Sequence, residues 1–509
     1  MSGQQRRPRH PQGQGAPGSD RRSSSRGGGQ PSRTVQPSRA VQPARRVAYD
    51  VLRAVSDSDA YANLLLPSAI ADAGLSTQDA ALATELAYGT LRRRGMYDAI
   101  IEAAADRDTA SIDPAVLDAL RLAVHQLLAT RVASHAAVNE SVNLAADAQG
   151  RGAASFTNAV LRRIARETPG EWQERIERSA RSDDERLSLR TAHPVWVIRA
   201  LRRALAAEGR ADELEALLEA DNVSPEVTLV ALPGLAEQGE PRRPYAATAF
   251  GSPGGDPHRI VAGSGGKVRV QDEGSQLVAL ALAAAAPIRS GERWLDLCAG
   301  PGGKTALLAA IAAQHGALLE ANEIIPARAG LVRNALRPVP GDVVVDEEDG
   351  RTLARDRVGQ YDRILVDAPC TGLGALRRRP EARWRKTPAD VAELVPLQEE
   401  LLSAAVEALA PGGIVAYVTC SPHLAETTGV VQEVLRGRAD LHELDARAVL
   451  THIAQSPIDL GTRDDQPDGG SVQLWPHRHG TDAMFLALLQ RTAADPAATD
   501  PGDAAGKGE

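Results

Sequence analysis

The stretch Arg293–Thr305, which reads RWLDLCAGPGGKT, constrains the fold more than any other part of this chain. A short apolar run breaks into a turn rich in glycine and proline, and the alanine- and leucine-rich segment 306–313 follows with a helical pattern. A strand, a tight loop and a helix in this order open a nucleotide-sized pocket at the carboxyl end of a strand in an α/β sheet. The glycines let the backbone approach a ligand closely, because no Cβ restricts their φ angles.

Two commoner nucleotide-binding loops do not fit this stretch. A phosphate-binding P-loop needs glycine five residues before the glycine of Gly-Lys-Thr, and that position holds Cys298. A dinucleotide fingerprint that starts at Gly300 needs glycine at position 305, which is Thr305. The stretch therefore predicts a nucleoside pocket without an obvious pyrophosphate cradle.

An acidic residue follows at a suitable distance. The segment 316–323, GALLEANE, has the pattern of a second strand that ends in Glu323, 20 residues after Gly303. A carboxylate at the tip of that strand is placed to accept hydrogen bonds from ribose hydroxyls. Spacing alone fits a solvated glutamate at a helix start equally well, so both interpretations stay open.

Length and composition bound the class of protein. A chain of 509 residues predicts two or three domains, and 43% hydrophobic but only 3% aromatic residues predict cores of alanine, leucine and valine. The most apolar run, 277–288, is too short for a membrane span. No apolar segment follows the N-terminal arginines, so no signal peptide is expected. We therefore expect a cytoplasmic protein without membrane contact, and we expect a monomer.

Both ends of the chain are predicted to be disordered tails, residues 1–43 and 492–509. Residues 1–46 hold ten arginines and one aspartate, whereas the whole chain has a net charge of -8. A basic tail on an acidic body favours local contact with a polyanion. A solubilising end explains the tail at least as well.

Residues 44–170 have the periodicity of an all-helical domain. Apolar residues repeat at helical spacing, for example in 114–128, and Asp113 before Pro114 is a helix-start signal. Arginine clusters such as 92–94 suit either phosphate binding or a solvated helix end. Residues 171–268 are expected to form a linking subdomain with a flexible loop, 233–266, rich in glycine, proline and serine.

Strand and helix patterns alternate between residues 269 and 491, which predicts a mostly parallel sheet with helices on both faces. A closing hairpin would add a terminal antiparallel pair, which suits a methyltransferase better than a dehydrogenase. The predicted strands are 293–297, 317–322, 342–346, 362–367 and 413–419, and the hairpin is 472–475 with 484–489.

The chain has three cysteines, Cys298, Cys370 and Cys420, and each follows an apolar run that resembles a strand. An odd, sparse count without a signal peptide argues against disulfides. No Cys-x-x-Cys pair or histidine cluster indicates a metal site. In a doubly wound sheet the ends of these runs lie at the active-site edge, and Asp367 lies three residues before Cys370.

Two thiols and a carboxylate around one pocket fit the methylation of pyrimidine carbon C5. That atom is too poor a nucleophile to take a methyl group directly. A thiolate that adds at C6 turns C5 into an enamine-like carbon, which attacks a methyl sulfonium. A base then removes the C5 proton so that the thiol can leave.

Three motifs in the sequence are specific enough to indicate a protein family. They are residues 298–304 (CAGPGGK), 367–370 (DAPC) and 419–421 (TCS). They resemble the signatures of the bacterial Sun/RsmB branch of the NOL1/NOP2/Sun RNA 5-methylcytosine methyltransferase family. Residues 139–142 and 156–163 are similar to the NusB-like domain of that branch. The resemblance implies an α/β fold, with a Rossmann-like class I methyltransferase domain at 269–491 behind an all-α NusB-like domain at 44–170.

The resemblance also implies roles for individual residues. Cys420 is the nucleophile at C6, Cys370 assists proton removal and product release, and Asp367 lies between cofactor and base. DNA cytosine methyltransferases take their nucleophile from a Pro-Cys motif, which would be Cys370, but the family's RNA enzymes share the second thiol. Glu323 holds the ribose and Asp349 lies near the adenine of S-adenosylmethionine. The full set implied for the cofactor is Cys298, Ala299, Gly300, Pro301, Gly302, Gly303, Lys304, Glu323, Asp349 and Asp367.

Two loops depart from the family pattern. Glu426 follows Cys420 where many relatives have paired acids, and Cys370-Thr371-Gly372 varies the usual Cys-Ser-Gly. The next segment, Arg377–Lys386, has six cations, one acid and Trp384. Beside the thiols it predicts an RNA clamp, with cations on phosphates and Trp384 stacking a base or supporting the loop.

The sequence thus predicts an S-adenosylmethionine-dependent enzyme that methylates cytosine C5 in 16S ribosomal RNA through a covalent cysteine–C6 adduct. One alternative keeps the chemistry but moves it to tRNA or 23S rRNA. Another is a non-catalytic NusB-like RNA-binding or antitermination factor, against which the two intact thiols argue.

Overall fold

The computed structural model describes residues 41–58, 60–254, 257–461 and 470–493. The tails predicted at 1–43 and 492–509 therefore lie almost wholly outside the described residues. Within those residues, no helix combines the length and the apolar character needed to cross a membrane.

The first part of the described chain is entirely helical, as predicted. Its core is made of alanine, leucine, valine and isoleucine side chains, and Trp172 lies fully buried among them. The elements are α1 (Pro43–Asp57), α2 (Ala62–Asp72), α3 (Thr77–Arg92), α4 (Arg94–Ala105), a 3-10 turn (Thr109–Ser111), α5 (Pro114–Ala129), α6 (Ser134–Ile164) and α7 (Pro169–Glu177).

Local sequence signals explain where these helices start and bend. The Asp113 carboxylate caps α5 by accepting hydrogen bonds from the backbone N–H groups of Ala115 and Val116, at 2.9 and 3.3 Å. Gly150 has φ 76° and ψ -164°, a conformation that favours glycine, and kinks α6.

Helices and a small antiparallel sheet follow. The sheet has the order β2-β1-β3, and Ala249 and Phe250 of its edge strand are buried. The elements are α8 (Asp183–Thr191), α9 (Val195–Ala207), a 3-10 turn (Ala211–Glu213), α10 (Leu214–Ala220), β1 (Thr228–Ala231), β2 (Ala249–Gly251), α11 (Pro257–Gly263) and β3 (Val268–Val270).

The prediction that 233–266 is a flexible loop was wrong, because β2 and α11 lie inside it. A three-residue strand carries almost no periodic signal in a segment rich in glycine and proline. Its pairing with β1, which aligns Phe250 with Leu229, comes from tertiary structure alone.

The remainder forms an eight-stranded sheet with helices on both faces, as predicted. Its elements are α12 (Glu273–Ala284), β4 (Arg293–Asp296), α13 (Gly303–His315), β5 (Leu318–Asn322), α14 (Pro326–Leu336), β6 (Val344–Asp346), α15 (Gly350–Asp356), β7 (Tyr361–Asp367), α16 (Ala382–Arg385), α17 (Pro388–Ala408), β8 (Leu409–Thr419), a 3-10 turn (Leu424–Glu426), α18 (Thr428–Leu435), β9 (Leu441–Leu444), α19 (Ala446–Ile453), β10 (Val472–Gln473), α20 (Pro476–His479) and β11 (Phe485–Arg491).

The strand order is β10-β11-β8-β7-β4-β5-β6, and β9 pairs with β11. Strands β4 to β8 are parallel, whereas β11 runs antiparallel to β8, β9 and β10. The predicted terminal antiparallel pair is therefore confirmed, although a helical turn, α20, lies within its connection. The sequence did not reveal β9, whose four residues pair only with the end of β11.

The strand order determines which sequence motifs meet. Strands β8, β7 and β4 are neighbours, and their parallel carboxyl ends lie at one edge of the sheet. The motifs at 298–304, 367–370 and 419–421 follow these three ends directly. Helices α12, α13, α14 and α19 pack on one face of the sheet, and α15, α17 and α18 pack on the other.

Candidate active site

The two predicted catalytic thiols are in contact. Cys370 follows the end of β7, Cys420 follows the end of β8, and the register of these strands aligns Asp367 with Val418. The Sγ atoms of Cys370 and Cys420 are 3.5 Å apart, within hydrogen-bonding distance for sulfur. Two residues that are fifty positions apart in the sequence therefore share one small site.

The contact shifts the pKa values of the two thiols in opposite directions. A hydrogen bond from the Cys370 S–H lowers the pKa of Cys420, and the positive charges of Arg379 and Lys304 lower it further against the effect of burial. The same hydrogen bond, together with burial, raises the pKa of Cys370 well above its usual value. Of the two thiols, Cys420 is therefore the one whose thiolate form is favoured, and Cys370 holds its proton more tightly.

An ion pair joins the glycine loop to the thiols. Lys304 Nζ, in the first turn of α13, lies 2.8 Å from Asp367 Oδ2 at the end of β7. Burial disfavours the charged form of Lys304, but the Asp367 carboxylate and Cys420 outweigh it and raise the pKa of this lysine. The lysine thus stays charged between the glycine loop and the end of β7.

Glu323 directly follows β5 and lies against the glycine loop. Its Oε2 accepts a hydrogen bond from the Gly300 N–H at 3.0 Å, and its Oε1 accepts one from the Ile325 N–H at 3.0 Å. A Cβ at position 300 would lie 2.1 Å from Glu323 Oε2, so any larger residue there would displace this carboxylate from the loop. Gly302 has φ 101°, which also favours glycine.

Asp349 has partners that the sequence did not indicate. It caps α15 by accepting from the Arg351 N–H at 2.9 Å, and it also pairs with the Arg351 guanidinium. That hydrogen-bonded ion pair lowers the pKa of Asp349 to about 2. The Asn322 side-chain amide donates to the Glu348 carbonyl and accepts from the Glu348 N–H, at 3.1 Å each. These two hydrogen bonds place the acidic turn beside the end of β5.

Sequence reasoning missed Asp296, the last residue of β4. It is buried, accepts a hydrogen bond from Thr305 Oγ1 at 2.7 Å, and its Oδ1 has no hydrogen-bond partner among the described residues. Burial raises the pKa of Asp296 to about 7. The signal was available, because an aspartate inside the apolar run WLDL is out of place in a buried strand.

Cys298, implied above as a cofactor-binding residue, lies in the glycine loop. It is half-buried against the core under the sheet, and burial raises the pKa of its thiol far above the usual range. It therefore stays a neutral thiol in the glycine loop.

The residues present fit S-adenosylmethionine. The ligand would offer hydrogen-bond donors and positive charge at its ribose hydroxyls, ammonium and sulfonium. The glycine loop is edged by complementary acceptors, the carboxylates of Glu323 and Asp367 and the unpartnered Oδ1 of Asp296. A carboxylate has about four lone-pair directions, so the backbone bonds of Glu323 leave it capacity for a ribose.

Glu426 ties the two thiol loops together, a role that the sequence did not reveal. It is fully buried and accepts from the Thr371 N–H at 2.8 Å, from Ser421 Oγ at 2.6 Å and from Gln398 Nε2 at 3.2 Å. Thr371 and Ser421 directly follow the two cysteines. One carboxylate therefore holds both sulfurs in register.

The arginine-rich segment Arg377–Lys386, here called the junction segment, is mostly bound to protein, so the predicted RNA clamp is wrong for most of its residues. Arg383 is fully buried, and its guanidinium donates to the carbonyls of Arg92 and Asp221 and to Asn222 Oδ1. Arg378 pairs with Asp272 and Asp482.

The junction segment also joins the α1–α7 helices to the sheet. Trp384 Nε1 donates to the Leu91 carbonyl at 2.9 Å, and a Cβ on Gly95 would lie 2.3 Å from the indole. Arg385 donates to the carbonyls of Val55 and Ala60 at the end of α1. The tryptophan therefore supports the loop, one of its two predicted roles, and its cationic neighbours satisfy backbone carbonyls.

A parallel α/β sheet with a glycine loop after β4 and two thiols at neighbouring strand ends defines an S-adenosylmethionine-dependent methyltransferase. Residues 283–490 match the family model of the 16S rRNA methyltransferase RsmB/F, and residues 42–166 match that of the NusB family. The chain belongs to the RsmB/F family of RNA methyltransferases, and its cofactor is S-adenosylmethionine.

Relatives match over nearly their whole length. A Mycobacterium tuberculosis protein named as a methyltransferase is 50% identical over 454 residues, 88% of this chain and 96% of the relative. The ribosomal RNA small subunit methyltransferase B of Erwinia tasmaniensis is 30% identical over 465 residues, 87% of this chain and 97% of the relative. The crystal structure of PH0851 has the same fold, with a TM-score of 0.73 at 22% identity over 89% of this chain and all of that one.

Proposed function

We propose that this protein methylates cytosine C5 in 16S ribosomal RNA through a covalent bond between Cys420 and C6 of the target base. The observation that carries the proposal is the 3.5 Å contact between the Sγ atoms of Cys420, whose pKa is lowered, and Cys370, whose pKa is raised, beside the Lys304–Asp367 ion pair. Methylation at nitrogen or oxygen needs neither sulfur. The names of relatives such as the Erwinia tasmaniensis enzyme support small-subunit rRNA as the substrate.

Cys420 begins the reaction in this proposal. Its thiolate adds to C6, and the electrons of the C5–C6 double bond make C5 nucleophilic. Asp367, next to the sulfurs, orients the cytosine edge by hydrogen bonding. S-adenosylmethionine, when bound by residues 298–304, Glu323, Asp349 and Asp367, supplies the electrophilic methyl group.

Cys370 completes the reaction. While Cys420 is a thiolate, its charge and hydrogen bond raise the pKa of Cys370. Bonding of Cys420 to C6 removes that charge, so the pKa of Cys370 falls and the residue gives up its proton to solvent. The resulting thiolate takes the C5 proton, the C5–C6 double bond reforms, and Cys420 leaves as a thiolate.

The domains divide the work in this proposal. Residues 44–170 bind RNA as a NusB-like domain, and residues 269–491 carry the methyltransferase site. Residues 171–268 form a subdomain that links these two domains. The match of residues 42–166 to the NusB family supports the first assignment. The target base must leave its stack to reach two sulfurs at the sheet edge.

Tritium release tests the carbon that is methylated. Ribosomal RNA transcribed with [5-³H]cytidine should lose tritium to water in proportion to methyl transfer, because only C5 methylation breaks that bond. Transfer without tritium release would overturn the C5 assignment. Transfer confined to tRNA or 23S rRNA would change the substrate, and no transfer to any RNA would favour a non-catalytic NusB-like factor.

A further inference from the structure

One arginine of the junction segment is not bound to a protein carbonyl or carboxylate. Arg379 is exposed, and among the described residues its guanidinium forms no salt bridge or hydrogen bond. Its neighbours in the segment are engaged: Arg377 with the Gly480 carbonyl, Arg378 with Asp272, and Lys386 with Asp390. Arg379 therefore keeps the donors that the predicted clamp would have used.

Arg379 lies on the loop that follows Cys370, a loop that hydrogen-bonds to Cys420. The loop that follows Cys370 returns to β8, where the Gly374 N–H donates to the Cys420 carbonyl at 2.8 Å. One turn later, the Arg379 N–H donates to the Ala375 carbonyl at 2.8 Å. Its guanidinium is close enough for its charge to lower the pKa of Cys420.

The helical region supports this arginine from the other side. The Arg379 guanidinium lies 5.6 Å from the ring centroid of Tyr61, the residue that precedes α2. The Ala62 N–H donates to Glu381 Oε1 at 3.2 Å, and Arg385 lies 5.8 Å from the same ring. These contacts hold Tyr61 beside the junction segment, so its ring fixes a charged side chain that would otherwise be mobile.

We propose that Arg379 binds an RNA phosphate adjoining the target cytosine, and that Tyr61 is the positioning residue that holds its guanidinium there. The chemistry fits, since a guanidinium donates two parallel hydrogen bonds to a phosphate. This inference rests on the proposed function for the identity of the RNA. It assigns a direct role in the active site to the helical region, through a single tyrosine.

Binding of the full-length protein to 16S rRNA transcribed in vitro, measured at several KCl concentrations, tests the contact. Arg379→Ala should weaken binding by about tenfold, the loss expected for one charged hydrogen-bonded contact. The plot of log affinity against log salt should become shallower by roughly 0.7 to 0.9, since one fewer phosphate is neutralised. Arg379→Lys should keep the slope, and KM for S-adenosylmethionine should stay unchanged throughout.

Matched variants separate this contact from a loss of surface charge. Arg436→Ala removes an exposed arginine that pairs with Glu433 and should leave both affinity and slope unchanged. Tyr61→Phe should bind like the wild type, whereas Tyr61→Ala should weaken binding with the slope retained, because the charge remains. An Arg379→Ala protein with wild-type affinity and slope overturns the inference. A wild-type protein that binds with this slope but transfers no methyl group overturns the proposed function and leaves the contact supported.

Discussion

The sulfur of Cys370 lies 3.5 Å from that of Cys420, and the hydrogen bond between them makes the two thiols unequal. The pKa of Cys420 is lowered, which favours its thiolate form, and the pKa of Cys370 is raised. This asymmetry supports Cys420 as the nucleophile and gives the first prediction.

Cys420 should be alkylated by iodoacetamide at a lower pH than an ordinary cysteine. Only the thiolate reacts, and a lowered pKa populates it at lower pH. Cys370→Ala removes the donor, so the alkylation profile of Cys420 should move to higher pH, whereas Cys370→Ser should restore part of the shift. Mass spectrometry of the alkylated peptide checks this, and Cys298, whose pKa is raised, serves as the unreactive control. A Cys420 profile that Cys370→Ala does not move would contradict the hydrogen bond.

The two thiols should give different covalent products. Cys420→Ala should abolish methyl transfer, because no thiolate can add to C6. Cys370→Ala should trap a protein–RNA adduct, because the base that completes the reaction is missing. Denaturing gel electrophoresis with labelled rRNA shows the adduct as a slow band. Its appearance with Cys420→Ala would reverse the two roles.

Removing the Glu426 carboxylate should damage catalysis and stability together. Glu426→Ala leaves the buried Thr371 N–H unsatisfied and should lower the free energy of unfolding by about 3 kcal/mol. Glu426→Gln should also impair the site, because it replaces one of the two accepting carboxylate oxygens with an N–H₂ group and removes the negative charge. Urea unfolding and turnover are the measurements.

Glu433→Gln, at an exposed glutamate, is the matched control for both Glu426 variants and should change neither quantity. Full turnover in Glu426→Gln would show that the two loops keep their register without this carboxylate.

Gly95→Ala should disturb the junction between the helices and the sheet. The added Cβ would lie 2.3 Å from the Trp384 ring, which is held by its bond to the Leu91 carbonyl. Overpacking of this kind costs about 1–3 kcal/mol. Gly152→Ala is the control, because a Cβ there meets nothing within 4 Å and alanine favours the helix. Equal urea midpoints for the two variants would count against the tight contact at Trp384.

Much of the catalytic sheet could be predicted because its signals are local. The run WLDL followed by CAGPGGK specifies a strand, a loop and a helix by short-range sterics, and the thiols follow apolar runs that are strands by composition. Parallel strands then bring their carboxyl ends to one edge. The short strands β2 and β9 were not predicted, because three or four residues are too few to show the alternation of a strand. Hydrogen bonding to β1 and β11 is what defines them as strands.

The sequence by itself determined which side chains meet at the sheet edge, since Cys370, Cys420, Glu323 and the glycines lie where the strand pattern puts them. Tertiary structure alone decided which charges are free. Arg383 and Arg379 look alike in the sequence, but packing of α1–α7 against the sheet buries the first among carbonyl oxygens and leaves the second exposed on the loop that follows Cys370. The physical reason is that a guanidinium can donate its hydrogen bonds either to backbone carbonyls or to a phosphate. Which of these it meets depends on whether it is buried, and its burial depends on residues hundreds of positions away in the sequence.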